Sequence, residues 1–191
     1  MDEPVRLAVI YGSTRPGRFC DTVVRWTAER VSASGRFLFD LIDPAAPDSD
    51  TDPVQKPSLR ARSVQQRLGQ ADAFLVVTPE YNHGYPAPLK ALIDAHGAEW
   101  HAKPVAFVSY GGVSGGLRAV EQLRLVFAEL HAVTIRDSVS FPAAWEQFDA
   151  SGALRHPERA EKGMATLLAR LDWWAAALRQ ARAEAPYSGA A

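Results

Sequence analysis

The sequence predicts an α/β protein: a doubly wound, five-stranded parallel sheet with helices on both faces, three layers in all. Three observations carry this. Short apolar runs alternate with amphipathic stretches along the whole chain, the pattern of a parallel sheet covered by crossover helices. The first run, residues 6–11, shows little polar alternation, as a strand buried on both faces does. The chain has 191 residues, enough for one such domain with a proper core, and it shows neither an internal repeat nor a second domain. Residues 1–184 therefore read as a single domain and residues 185–191 as a frayed tail.

Each element follows from local pattern. Residues 6–11 form the first strand, which stops at Gly12. A helix begins near Cys20 and runs to about Ser34, with Val23, Val24, Thr27, Ala28 and Val31 on one side and Gly35 as its stop. Residues 37–42 are the second strand. Residues 43–63 carry Pro44, Pro47, Pro53 and Pro57 among aspartates and serines. A loop of that length is either a mobile excursion or a functional segment, a lid or a subunit contact. A short helix at 64–71 leads to the third strand at 73–78. A turn-rich loop at 79–88 precedes a helix at 88–96, where Pro88 suits the first turn because its missing N–H is not needed there. Residues 104–110 are the fourth strand, and 111–116 a loop with four glycines. A helix at 117–131 places Val120, Leu123, Phe127 and Leu130 on one face. The fifth strand spans 133–140. An irregular segment at 141–156 carries Trp145 and Phe148, and the last helix spans 157–183 with Leu167, Leu171, Trp174 and Leu178 in register.

Composition narrows the function. Hydrophobic residues make up 47% and charged ones 23%, ordinary for a soluble globular protein. The net charge is −1, which argues against a large nucleic-acid footprint and against the acidic surface of a charge-steered electron carrier. One cysteine, Cys20, excludes an intramolecular disulfide and fits a reducing compartment. The N-terminus has no apolar signal-like stretch, and no apolar run approaches the ~20 residues that span a bilayer. A cytoplasmic protein is expected.

The chemistry concentrates after the first strand. Residues 12–19 offer Ser13, Thr14, Arg15 and Arg18 just before a helix N-terminus, where free N–H groups and the helix dipole favour anions. Two arginines and two hydroxyls together suit an oxyanion, most simply a phosphate. The Gly-x-x-x-x-Gly-Lys-Ser/Thr and Gly-x-Gly-x-x-Gly patterns are both absent, so the loop suits a terminal phosphate better than a bridging one. With strand order 2-1-3-4-5, strands 1, 3 and 4 are neighbours, and the loops at their carboxyl ends converge on one crevice. The second loop supplies Pro79, Glu80, Tyr81, Asn82 and His83. The third supplies Ser109, Gly111 and Gly112, whose glycines allow close backbone approach to a flat ligand. A phosphate at one end and a flat polar ring at the other describe flavin mononucleotide (FMN).

The chain also resembles the NAD(P)H-dependent FMN reductase family of the flavodoxin-like fold. The matching residues are Gly12-Ser13-Thr14-Arg15-Pro16-Gly17-Arg18, then Pro79-Glu80-Tyr81-Asn82 with Pro86, Leu89, Lys90, Ile93 and Asp94, then Lys103-Pro104 leading into Ser109-Tyr110-Gly111-Gly112 and Gly115-Gly116. The resemblance covers residues 5 to about 140. By position it implies that Ser13, Arg15 and Arg18 hold the FMN phosphate, with Phe19 and Cys20 beside them. Pro79, Glu80, Tyr81, Asn82 and His83 would line the isoalloxazine, largely through backbone groups, and Ser109, Gly111 and Gly112 would meet its other edge. Many members have Ser-x-Asn just after the arginine loop, where this chain has Phe19-Cys20-Asp21. An aspartate there repels phosphate, and Arg18 is placed to offset it. The resemblance further implies NADPH or NADH as co-substrate, a small-molecule acceptor such as free flavin, a quinone or an azo compound, and a homodimer or homotetramer with no obligatory acid or base.

Other readings stay open at this level. Gly112-Val113-Ser114-Gly115-Gly116 matches the Gly-x-Ser-x-Gly elbow of serine hydrolases, with Asp137 and His156 following. It sits two glycines too far from its strand and leaves Arg15, Arg18 and Tyr81 without a role. A non-catalytic flavin carrier or redox sensor would use the same cofactor residues. Cys20 reads as a small packing residue, and His96, Glu99 and His101 as surface residues with unsuitable spacing for zinc. Trp173 and Trp174 read as core plus interface. Arg118 is either solvated or a contact for the acidic parts of NADPH.

Overall fold

The computed structural model describes residues 3–46 and 63–187. Its strands are β1 (Val5–Tyr11), β2 (Phe37–Ile42), β3 (Ala73–Pro79), β4 (Pro104–Gly111) and β5 (Val133–Pro142). They form one parallel sheet in the order β2-β1-β3-β4-β5. This is the predicted fold class. The helices are α1 (Cys20–Ser34), α2 (Val64–Gln70), α3 (Ala87–Asp94), α4 (Leu117–Glu129), α5 (Ala144–Gln147) and α6 (Glu158–Glu184).

The sheet feeds two cores, because successive strand side chains point to opposite faces. Leu7, Val9, Leu75, Val77 and Val108 pack under α1 and α6 with Val23, Val24, Val31, Leu167 and Leu171. Ala8, Ile10, Phe74, Val76 and Phe107 pack under α2, α3 and α4 with Leu68, Leu89, Ile93, Leu123 and Phe127. Every residue of β3 is buried, which is why its sequence shows no alternation. Each such Leu, Val or Phe contributes roughly 1.5–3 kcal/mol by leaving water.

The boundaries differ modestly from the predicted ones. Helix α3 starts at Ala87 and stops at Asp94. Strand β5 continues to Pro142, and α5 forms in a segment expected to be irregular. A 3-10 turn at Ala98–Trp100 was not foreseen. It buries Trp100 against Phe74 and Phe127, ring centroids 4.6 and 5.4 Å away. The indole N–H donates to the carbonyls of Ile93 and His96 at 3.2 and 2.8 Å, so one side chain fills the core and closes the end of α3. A lone aromatic in a loop carries no periodicity from which this could be read.

Most of the proline-rich segment, residues 47–62, lies outside the described residues, and the lid and subunit-contact readings of it lie there too. At the other end, Tyr187 lies within the stretch expected to fray, yet its hydroxyl is 2.8 Å from His131 Nδ1. His101 packs on the same pair. Trp174 packs on the core and Trp173 is exposed. No helix among the described residues is long and apolar enough to cross a membrane, and no three metal-ligating side chains cluster among them.

Candidate functional site

The strand order places the carboxyl ends of β1, β3 and β4 side by side, and three loops leave from that edge. The first, residues 12–19, starts where β1 meets β3 most closely. The Gly12 N–H donates to the Val77 carbonyl at 2.7 Å. A Cβ on Gly12 would meet backbone atoms of Val77 and Thr78 at 2.7 Å, so a side chain there would force the strands apart. Ser13 is fully buried. Its hydroxyl pairs with the Tyr81 hydroxyl at 2.7 Å, joining the first loop to the second. The guanidinium of Arg15 lies 3.7 Å from the centre of the Tyr81 ring, a cation–π stack.

Arg18 is differently disposed. Its Nε donates to Asp21 at 2.8 Å, and its two terminal nitrogens grip both oxygens of Asp43. One of them also donates to the Ser13 carbonyl at 2.5 Å. Arg18 therefore braces the loop and neutralises Asp21 and Asp43. The bond from Arg18 outweighs burial and lowers the Asp43 carboxyl below its usual range. Asp43 was not among the residues singled out from sequence. It stands at the end of β2, the neighbour of β1, so only the strand order could have flagged it.

The side chains of Phe19 and Cys20 pack inside the protein. The Phe19 ring packs against Tyr110 and Phe148, centroids 5.9 and 5.6 Å away. Cys20 is fully buried, with its thiol 3.7 Å from the Val77 carbonyl, and burial pushes that thiol up from its ordinary value. Helix α1 has no side-chain cap at Phe19. The backbone N–H groups of Thr14, Gly17, Arg18 and Phe19 find no acceptor among the described residues. They are the orphan donors of a loop leading into a helix N-terminus.

The second loop is a tight hairpin. Tyr81 and Gly84 exchange backbone hydrogen bonds at 2.9 and 3.0 Å, and Asn82 and His83 between them have φ of 50° and 69°. Two left-handed residues in that position define a type I′ turn, which asparagine tolerates well. Pro79 is buried as the last residue of β3. The Glu80 side chain turns toward the third loop. Its carboxylate accepts from the Ser114 hydroxyl at 2.6 Å, from the Arg118 N–H at 3.2 Å and from the Arg118 guanidinium at 2.8 Å.

In the third loop, Gly116 has a φ of 86°, and a Cβ there would meet Ser109 Cβ at 2.8 Å and Tyr110 N at 2.9 Å. Only glycine lets the loop fold back this tightly. Ser109 is buried and donates to the Gly115 carbonyl at 2.8 Å, so its hydroxyl holds the loop in place. Gly111 and Gly112 lie beyond it, with Trp145 3.9 Å from where a Gly112 Cβ would stand. The residues of the hydrolase alternative are spent separately. Ser114 donates to a carboxylate, not to an imidazole, and Asp137 is held by Arg170 at 2.7 Å.

The sequence model of the NADPH-dependent FMN reductase family matches residues 5–146, which span all three loops. This chain belongs to that family. It is 34% identical over 122 residues to an NAD(P)H-dependent FMN reductase of Schizosaccharomyces pombe, covering 58% of this chain and 60% of the relative. It is 30% identical over 142 residues to a quinone reductase of Escherichia coli, covering 71% and 76% of the two chains. Among solved structures, the flavoenzyme NAD(P)H:(acceptor) oxidoreductase FerB of Paracoccus denitrificans superposes with a TM-score of 0.60 at 26% identity, over 89% of this chain and 97% of that one. The family match ends within α5. Helix α6 and the Tyr187 contact lie outside it.

Proposed function

We propose that this chain is an FMN-dependent oxidoreductase that passes hydride from NADPH or NADH to a small-molecule acceptor: a quinone, free flavin or an azo compound. The observation that carries this is the meeting of three loops at one sheet edge. They offer open backbone N–H donors and Arg15 at one end, and two glycine- and aromatic-bearing walls at the other. The family match and the relatives named for FMN and quinone reduction support the same reading.

The residues present fit FMN. The phosphate would rest on the N–H groups of residues 14 and 17–19 together with Ser13 and Arg15, and Arg18 would act by holding the loop. The isoalloxazine would lie between the hairpin at Glu80, Tyr81, Asn82 and His83 and the loop at Gly111 and Gly112. Hydride transfer is the chemistry a bound flavin supplies. The chain's own part is to bind the phosphate, fix the plane of the ring and keep water from it. A second copy of the chain, as homodimer or homotetramer, is part of the proposal. Val113, Leu117 and Trp145 are 90%, 47% and 61% exposed beside the glycine loop, an apolar rim suited to burial by another subunit. We also place the protein in the cytoplasm, which the lone, buried Cys20 supports.

The test is direct. The purified protein should be yellow or become so with FMN, should bleach anaerobically with NADPH or NADH and no second protein, and should recover its colour on adding a quinone. A protein that cannot take up FMN would overturn the proposal. Bleaching only through another protein would make it a carrier.

A further inference from the structure

The side chain of Glu80 faces away from the place proposed for the ring and grips the opposite wall. Its carboxylate is 8% exposed and takes three hydrogen bonds, two from Arg118 and one from Ser114. Burial works against its charge, but the bonds from Ser114 and Arg118 outweigh it and hold its carboxyl below the usual range. The grip has a second point. Gln122 donates from its side chain to the His83 carbonyl at 2.8 Å. Arg118 and Gln122 stand four residues apart on α4, so they share one face. One helix thus holds both the root and the tip of the hairpin.

We infer that Glu80 is a positioning residue: by clamping the loop after β3 to Ser114 and α4, it fixes the spacing of the two loops that receive the face and the edge of the flat ring. This rests on the flavin reading above. The physical reason is the steepness of dispersion. Carbon atoms attract best at about 3.5–4.0 Å, and a gap of 0.5–1 Å forfeits roughly a quarter to a half of that attraction. A ring that rests one face on the first of these loops and an edge on the second loses contact with both when they drift apart. The backbone pairing of β3 with β4 ends where Glu80 N–H meets the Tyr110 carbonyl at 3.2 Å. Beyond that point the two walls are joined by side chains, and the Glu80 carboxylate makes most of those bonds.

The clamp is tested by flavin binding without any pyridine nucleotide. Glu80→Gln keeps the shape but sets an amide donor against the guanidinium. It should weaken FMN and riboflavin in parallel, by about ten- to a hundredfold, the span of one charge-assisted hydrogen bond. Arg118→Gln should do the same, and the double variant should lose no more than the larger single loss, because both act through one contact. The visible circular dichroism of the bound flavin should change in all three. Ser114→Ala, which removes the bond to Glu80 and the one accepted from the Gly116 N–H but keeps the Glu80–Arg118 pair, should weaken both flavins in the same ratio. Wild-type affinities in Glu80→Gln, strictly additive losses, or a loss confined to FMN would overturn the clamp. A wild-type protein that binds neither flavin would overturn the proposed function itself.

Discussion

Arg15 and Arg18 are three positions apart in one loop, yet the structure gives them different work. Arg18 meets two carboxylates and a carbonyl, so its charge is spent within the protein. Among the described residues the Arg15 guanidinium has an aromatic face beneath it and no hydrogen-bond acceptor, so under the proposed function its donors serve the phosphate. Arg15→Ala should therefore weaken FMN by about ten- to a hundredfold while riboflavin binds as before, since a charge-assisted hydrogen bond contributes roughly 1.5–3 kcal/mol. Titrating both flavins against the variant checks this, and equal losses would show that the phosphate sits elsewhere. The type of residue was legible in the sequence, and its partner was not. Asp43 and Arg18 are 25 positions apart, and nothing local marks them as a pair.

Among the elements, α2 shows how a short helix is held. Ser63 and Gln66 close its start as a capping box. Its end is held from afar by Lys103, whose ammonium donates to the carbonyls of Leu68 and Gly69 at 3.0 and 2.9 Å. Lys103 is 6% exposed. Burial, with the nearby Arg182, brings its pKa down to about 8 from an ordinary 10.5. The sign follows. Between those two values the unfolded chain binds more protons than the folded one, so this residue makes stability rise with pH. From pH 8 to 10.5 the wild type should gain up to about 3 kcal/mol relative to Lys103→Met. Chemical denaturation across that range measures it, and parallel curves would refute it. The start of α2 was readable from Ser63 and the helix after it. Its end was not, because the capping group stands just before β4, 35 positions beyond Leu68.

The whole molecule is two cores on one sheet with a site along one edge. The apolar rim at Val113, Leu117 and Trp145 is the surface this arrangement leaves uncovered beside the site. Trp145→Glu should shift the protein toward monomer and weaken FMN, because a carboxylate there cannot be buried without a partner. Sedimentation velocity with a parallel flavin titration tests it; an unchanged oligomer, or a protein that was monomeric from the start, would exclude that face as the interface.

What the sequence determined by itself is what period and punctuation encode: five strands, their helices, the strand order, and the three loops that strand order brings together. These depend on neighbours along the chain or on general rules of chain connection. What only the tertiary structure decided is how the charged and polar groups pair. Arg18 meets Asp21 and Asp43, Ser114 donates to Glu80, and Glu80 accepts from Arg118. Apolar burial is non-directional and needs only a pattern. A hydrogen bond needs two groups within about 3 Å at the right angle, and which two groups meet is settled only once the sheet has closed.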